Sequence, residues 1–389
     1  MMSHHPWLLP DGIDEILPDQ AWQLEQLRRE LLDLYAGWGY QLVMPPLIEY
    51  RDALLTRTDQ ALSLQTATLT DQESGRLLGV RADITPQTAR IDAHRLQREA
   101  PTRLCYVGSV FQARSSRLGG TRNPLQIGAE LYGYAGIAAD REVLQLMLAT
   151  LQQAGIEQIH LDLGHVGIYR ALAEQARLSA EQTDELFRIL QHKAPADLIR
   201  WLDTHQVAAS SRDMLLALVT LNGAADVLEQ ARDCLHAAPA AVHTALDELA
   251  GLGEDLELPV HYDLAEARTY HYQTGVIFAA FVPRQGYEIA RGGRCDQIGA
   301  AFGRARPGTG FSADLKTLLS SGISQPTSPD TILAPVSADP ELAQRMAELR
   351  AAGQVVIQAL PDQTGTPAEQ GIQQKLHKTA EGWVLTHAE

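Results

Sequence analysis

Three cysteines in 389 residues, Cys105, Cys234 and Cys295, stand far apart with no CxxC pair, which excludes a disulfide framework and a structural zinc site. Such sparing use fits a reducing cytoplasm. Long apolar runs are missing too, since no stretch of about 18 apolar residues occurs anywhere. The first dozen residues carry His4, His5 and two prolines where a secretory leader has a basic end and an apolar core. The chain is therefore expected to be neither exported nor membrane-spanning. Basic residues are in deficit, 32 against 48 acidic, and a formal charge of -16 is the wrong sign for neutralising phosphate backbones. Nucleic acid is not an expected partner. No Gly-x-Ser-x-Gly elbow is present, which removes the simplest serine-hydrolase reading. Residues 303–310 lack the Lys-Ser/Thr ending of a phosphate-binding loop and are expected to form a flexible turn. His160 and His165 flank Asp162 without the further ligands that a metal site needs, so neither metal nor cofactor is expected. What is present is ordinary globular material, 45% hydrophobic and 21% charged, long enough for two or three folding units.

Periodicity sets out the elements. Leu24, Leu27, Leu31, Leu34 and Trp38 recur at spacings of three and four, the apolar stripe of an amphipathic helix over residues 21–38 that Gly39 should stop. Residues 41–44 read as a strand meeting Pro45 and Pro46, which places it at an edge or an interface. Short strand-like runs follow at 66–70, 76–80, 103–111 and 125–134, with helices expected over 85–93 and 140–154. This predicts an α+β fold, a mainly antiparallel sheet flanked by helices. After a strand at 159–163, residues 168–250 turn Ala/Leu/Gln/Asp-rich and read as a helical insertion. Strands resume at 260–264, 270–282 and 286–290, then a Gly-rich turn at 292–294 leads toward a helix at 312–319. A Ser/Pro-rich linker, residues 320–330, separates this main domain, 1–320, from a small C-terminal α/β domain at 331–389.

Two regions hold polar residues that packing explains poorly. One joins the segment RADITPQ (81–87) to residues 111–130, where Gln112, Arg114, Arg122, Gln126 and Glu130 lie on or beside strand-like runs. Alternation puts Gln126, Gly128 and Glu130 on one face, where an amide and a carboxylate suit an ammonium or imidazole. The same alternation describes the solvated face of a sheet, which this strand taken alone favours. The other region is RTYHYQTG (268–275) followed by RGGRCD (291–296). There Arg268, Tyr270 and Tyr272 alternate onto one face, a guanidinium suited to a carboxylate beside two rings, although an exposed edge strand reads alike.

Taken in order, residues 10–319 resemble the catalytic domain of class II aminoacyl-tRNA synthetases, specifically histidyl-tRNA synthetase. WGYQLVMPP (38–46) is similar to motif 1, which in that family forms a homodimer interface. The resemblance implies that Asp83 and Thr85 of RADIT serve a histidine amino group and that Gln126 and Glu130 are histidine-contacting. It also implies that the segments 268–275 and 292–296 are histidine-specific signatures. The departures carry the function. Where motif 2 of an active enzyme places an arginine for the ATP α-phosphate, Gln112 stands, and Arg114 occupies the place of an adenine-facing acid. Motif 3 should end with an arginine for the γ-phosphate, and here Thr317 stands. Replacing a charge-assisted phosphate contact costs a factor of about 10² to 10³ per group, so adenylation should be lost.

A histidine pocket on an inactive synthetase scaffold, with about 60 C-terminal residues, resembles the regulatory subunit family of ATP phosphoribosyltransferase. That resemblance implies no catalysis of its own and a hetero-octamer with the short catalytic subunit. It also implies a requirement in the first step of L-histidine biosynthesis and L-histidine as the feedback effector. The alternatives are an active histidyl-tRNA synthetase and a free-standing amino-acid-binding or modifying enzyme.

Overall fold

The computed structural model describes every residue except 1–6, 56–59, 116–119, 267–272, 284, 323–330, 362–371, 381 and 388–389. Two compact units divide the chain, Met1–Ser324 and Gln325–Glu389.

The first unit opens with α1 (Pro18–Gly37), which buries Leu24, Leu27, Leu31 and Tyr35. The sequence stripe continued instead through Leu34 and Trp38, but a four-residue step from Leu31 keeps Tyr35 on the core face and leaves Trp38 as the cap. Gly39, at φ +82°, turns the chain out of the helix. After β1 (Gln41–Leu42) come β2 (Ile48–Tyr50), α2 (Arg51–Leu54), α3 (Gln60–Gln65), β3 (Thr68–Thr70) and β4 (Leu77–Val80). Strands β2, β4 and β3 form a small antiparallel sheet of their own. The helix α4 (Thr85–Arg90) runs into a π-helical turn, Ile91–Leu96, and leads to the hairpin β5 (Thr102–Ser109) and β6 (Leu125–Tyr132). Next come α5 (Ile137–Gln153) and β7 (His160–His165).

Between β7 and the next long strand lie α6 (Val166–Gln175), α7 (Ala180–Gln191), α8 (Pro195–Thr204) and α9 (Ala209–Leu218). They are followed by a two-residue β8 (Asn222–Gly223), α10 (Asp226–Cys234) and α11 (Ala240–Gly253). Their buried leucines, Leu172, Leu190, Leu215 and Leu246 among them, join the same core as the sheet. The chain then lays down β9 (Val260–Asp263), β10 (Val276–Phe281), β11 (Ala290–Arg294) and β12 (Gly308–Asp314), and closes the unit with α12 (Leu315–Ser321).

The main sheet has nine strands in the order β1-β5-β6-β12-β11-β10-β7-β9-β8, antiparallel except for the pairs β1–β5 and β7–β9. The proline-bounded β1 stands at its edge, as expected of a strand that meets two prolines. One face is apolar and packs on helices: Ala129, Phe311, Phe278 and Leu163 are buried along it, with the Tyr35 ring of α1 edge-on to Phe311 at 6.1 Å.

Two expectations about glycine-rich segments are corrected. Residues 292–294 are not a turn but the last three residues of β11, and β12 runs from Gly308 to Asp314, so the helix expected at 312–319, α12, starts at Leu315. Gly292 passes Phe278 so closely that a β-carbon would lie 2.4 Å from its ring. Packing, not chain reversal, is what asks for glycine there.

In the second unit β13 (Thr331–Ala334), α13 (Pro340–Ala351), β14 (Val355–Gln358), β15 (Ile372–Thr379) and β16 (Gly382–His387) form a four-stranded sheet in the order β14-β13-β15-β16. Its core is small, built from Ile332, Leu342, Met346, Leu349, Val356 and Leu376.

Candidate functional site

Pairing register builds the site on the face of the main sheet opposite the helices. Across it run Glu130 (β6), Gly310 (β12), Gly293 (β11), Ile277 (β10) and Gly164 (β7), each the direct partner of the next. Residues two places along each strand share that face. They give a parallel row of Gly128, Ser312, Arg291, Ala279 and Asp162. The first row is nearly bare of side chains. A β-carbon on Gly310 would sit 1.8 Å from Glu130 Oε2, so glycine at 310 is what lets the carboxyl group lean over the strand.

Above this floor lies the segment Arg81–Thr85, held by a buried arginine. Arg81 donates through Nε to the Ser109 carbonyl (2.8 Å) and through Nη1 to the Pro45 carbonyl (2.7 Å). Gln87 donates to the Pro46 carbonyl (2.8 Å). The two prolines thereby lend carbonyls, which they keep, where their missing amides cannot serve a ladder. So anchored, Asp83 Oδ1 accepts from Gln126 Nε2 (2.8 Å) and from the Thr85 amide (3.0 Å), while Gln126 Oε1 accepts from the Ile84 amide (2.9 Å). The Thr85 and Tyr106 hydroxyls lie 3.1 Å apart, and Tyr106 donates to Glu130 Oε1 at 3.4 Å.

Asp83, Thr85, Gln126 and Glu130, distant in sequence, are thus one hydrogen-bonded set. Glu130 is buried, and burial, with the charge of Asp83 beside it, pushes its carboxyl up to about 8 against hydrogen bonds from Thr85 and Tyr106 that pull the other way. Protonation of Glu130 at neutral pH relieves the repulsion between the two acids. The solvated-face reading of β6 is overturned, since residues 127–132 are all buried.

A cleft of about 420 Å³ is lined by Asp83, Thr85 and Glu130 at one end and by Gln273, Gly293, Cys295 and Ser312 farther along, with Arg291 bringing a positive charge. Arg291 also pairs with Glu288 at 3.1 Å. Cys295 is buried and its thiol is pushed far up by desolvation, which makes it a wall and not a nucleophile. An acidic and amide-rich end facing a guanidinium complements a zwitterion that carries a second nitrogenous group.

The other expected residues are disposed differently. Arg268, Tyr270 and Tyr272 lie outside the described residues. Gln112 sits in a single-residue bridge with Thr66, its amide bonded to the Arg122 carbonyl at 2.8 Å, and Arg114 is exposed. Thr317 is buried on the first turn of α12 and donates to Asp314 Oδ2 at 2.9 Å. Among the described residues no group of three or more His, Cys, Asp or Glu side chains is placed to hold a metal ion. His165 instead caps α6, accepting from the Gly167 amide at 3.1 Å and meeting Glu248 at 3.0 Å. Sequence reasoning missed Tyr106, Gln273 and Arg291. The last two fell inside the quoted signatures, but only the fold separates them from their neighbours. Tyr106 had no local signal at all.

Comparison with known proteins follows the same division. Residues 12–318 match the family profile for histidyl-tRNA synthetase, and residues 329–386 match that for the ATP phosphoribosyltransferase subunit HisZ C-terminal domain. An ATP phosphoribosyltransferase regulatory subunit of Methylococcus capsulatus is 54% identical over 387 residues, covering 97% of this chain and 95% of that one. Its counterpart in Alkalilimnicola ehrlichii is 52% identical over 386 residues, with coverage of 97% and 96%. A crystal structure described as an ATP phosphoribosyltransferase regulatory subunit/histidyl-tRNA synthetase from Bacillus halodurans superposes with a TM-score of 0.82 at 27% identity, covering 96% of this chain and 99% of that one.

Proposed function

The chain belongs to the ATP phosphoribosyltransferase regulatory subunit family, built on a histidyl-tRNA synthetase scaffold, and from that premise we propose that its cleft binds L-histidine and that feedback inhibition of the assembled enzyme runs through it. The observation that supports this reading is the set Asp83, Thr85 and Glu130, with Gln126 holding Asp83, which lines one cleft together with Arg291. The ligand's ammonium lies at Asp83, Thr85 and Gln126, its imidazole at Glu130, and its carboxylate toward the basic side, where Arg291 supplies a guanidinium. Gln112 and Thr317 carry no charge for a triphosphate, and the Thr317 hydroxyl is committed to Asp314. The chain therefore senses an amino acid without activating it. Its partner is the short catalytic subunit, in a hetero-octamer, in a cytoplasmic pathway whose first step needs both chains. Among the described residues no helix is long and apolar enough to cross a membrane.

A homodimer is the natural unit on the regulatory side. Met44 (77% exposed), Leu77 (53%), Leu47, Ile48 and Leu69 carry apolar surface on the small sheet and beside the free edge of β1. Surface of this kind invites a partner.

The test is calorimetric titration of the purified chain with L-histidine, followed by inhibition of the complex reconstituted with the catalytic subunit. Asp83→Ala should weaken histidine binding and inhibition by about 10- to 150-fold, the worth of a charge-assisted contact, and Glu130→Ala by about 2- to 12-fold, the worth of a neutral hydrogen bond, with uninhibited turnover changed much less. Inhibition curves identical to the parent's in both variants would place the sensor elsewhere.

A further inference from the structure

The sheet of the second unit, β14-β13-β15-β16, has two edges, and they differ. Ala359, just past β14, donates its amide to the Ala334 carbonyl at 2.8 Å, so the odd-numbered residues of β14 turn toward β13 and Val356 turns outward. There α13 closes the edge. Arg350 donates to the Val356 carbonyl through Nε (3.1 Å) and Nη2 (2.7 Å), and the Gln354 amide donates to the Leu349 carbonyl at 3.0 Å.

The edge at β16 has no such cover. Its six residues pair with β15 without a bulge, from Thr379–Gly382 to Gln374–His387, and alternate residues present amide and carbonyl to the open side. Among the described residues, no hydrogen bond outside that pairing reaches the backbone of residues 383–387. The strand, GWVLTH, also lacks the lysine, acid or proline that commonly blunts an edge. Beside it runs a groove of about 810 Å³, lined by Gln344, Arg345 and Glu348 of α13 and by Lys378 and Trp383 of the hairpin. The charges there are matched within the unit, Arg345 to Glu348 at 3.3 Å and Lys378 to Asp339 at 2.5 Å, and the Trp383 indole donates to the same Asp339 at 3.2 Å. What the groove offers is a row of backbone groups and the half-buried face of an indole.

Two arguments choose the occupant. An edge about 20 Å long and about 10 Å deep presents on the order of 200 Å², against roughly 800 Å² per partner in a stable interface, so two copies meeting edge to edge would not hold together. A linear segment needs no such area. Residues 12–318 match a synthetase profile, whereas the profile particular to the regulatory subunit, 329–386, spans this sheet. What a regulatory subunit has and a synthetase lacks lies here, and so does the means of holding a partner that synthetases do not have.

We propose that β16 is a strand-addition site, along which an extended segment of the catalytic subunit pairs backbone to backbone with residues 383–387 and sets an uncharged side chain against Trp383. This rests on the reading of the catalytic subunit as the partner. Main-chain hydrogen bonds supply the affinity, and the groove beside the indole selects the side chain.

Hydrogen exchange of the full chain, alone and reconstituted with the short catalytic subunit, tests this. Amides of residues 383–387 should slow at least tenfold in the complex, while those of 354–358 exchange as before. Val384→Lys, a charge on the open edge, should weaken association with the catalytic subunit at least tenfold in calorimetry and leave histidine binding by the free chain unchanged. Val355→Lys, on the closed edge, should associate like the parent. If Val384→Lys fails to fold, Thr386→Lys, at an exposed position of the same strand, decides. Amides that do not slow, or a folded lysine variant with the parent's affinity, overturn the strand site and leave the partner reading standing. Slowing of the same amides in the free chain as its concentration rises gives the edge to a second copy and also overturns the assignment. A parent chain that does not associate with the catalytic subunit overturns both.

Discussion

Glu130 is where the chemistry of the cleft is most concentrated, because one carboxyl group is asked to be neutral in the protein and available to a ligand. Its value, raised from about 4.5 in the unfolded chain to about 8, makes the folded state the stronger proton binder between those limits. Stability from this group is then fully present below about 4.5 and is lost as pH climbs through 8, since the native state must give up a proton it holds tightly. Glu130→Gln keeps the shape and removes the titration. Thermal unfolding of the parent and Glu130→Gln should nearly coincide at pH 5 and separate by pH 9 in favour of the glutamine variant, each kcal/mol appearing as no more than about 2–4 °C. Parallel pH profiles for the two proteins would contradict the buried, proton-holding state of Glu130. Asp83, the other acid of the pair, has its Oδ1 committed to Gln126 and the Thr85 amide.

At the scale of elements, short joints do much of the positioning. Asp314 ends β12 and starts α12, accepting from the amides of Leu125 (3.0 Å) and Lys316 (3.2 Å) and from the Thr317 hydroxyl. It ties the start of β6 to the junction of β12 and α12, 189 residues farther along the chain. Asp314→Ala should cost about 1–2 kcal/mol in denaturant unfolding, the upper range for a lost helix cap; a smaller effect would mean that the β6–β12 ladder alone holds α12 in place. At the other edge, Met44→Glu or Leu77→Glu should convert the proposed homodimer to monomer in light scattering at micromolar concentration, with the fold intact by circular dichroism, and a dimer surviving in both would move the interface elsewhere.

These joints also mark what the sequence can convey. The α1 stripe, the alternation of β6 and the edge position of β1 are written in neighbouring residues, so periodicity finds them. The strands β11 and β12 are not, because their glycines answer to Phe278 and to Glu130, the latter 180 residues before Gly310, and a glycine run with no view of its distant neighbours looks like a turn. The site residues on β6 were legible from alternation together with a family likeness. Tyr106 gains its meaning only when the β5–β6 pairing brings it beside Glu130, and Gln273 only when the fold brings it to the cleft.

As a whole molecule the chain separates its tasks. Every lining residue of the cleft lies within Met1–Ser324, and the remaining unit, Gln325–Glu389, has its own small core. A chain truncated after residue 324 should therefore unfold cooperatively and bind histidine with the parent's affinity within about threefold, a difference below 0.7 kcal/mol; loss of binding in a folded truncation would show that the second unit completes the site. The sheet face that holds the cleft, finally, owes its depth to atoms that are not there, at Gly310, Gly293 and Gly128. Every single-base change that replaces a glycine specifies a side chain with a β-carbon, or a stop. Carboxylates and amides above this floor can be exchanged one for another and the pocket retuned, but the floor itself has no neutral neighbours in the genetic code. In any lineage of this protein, new ligands are reached by altering the walls.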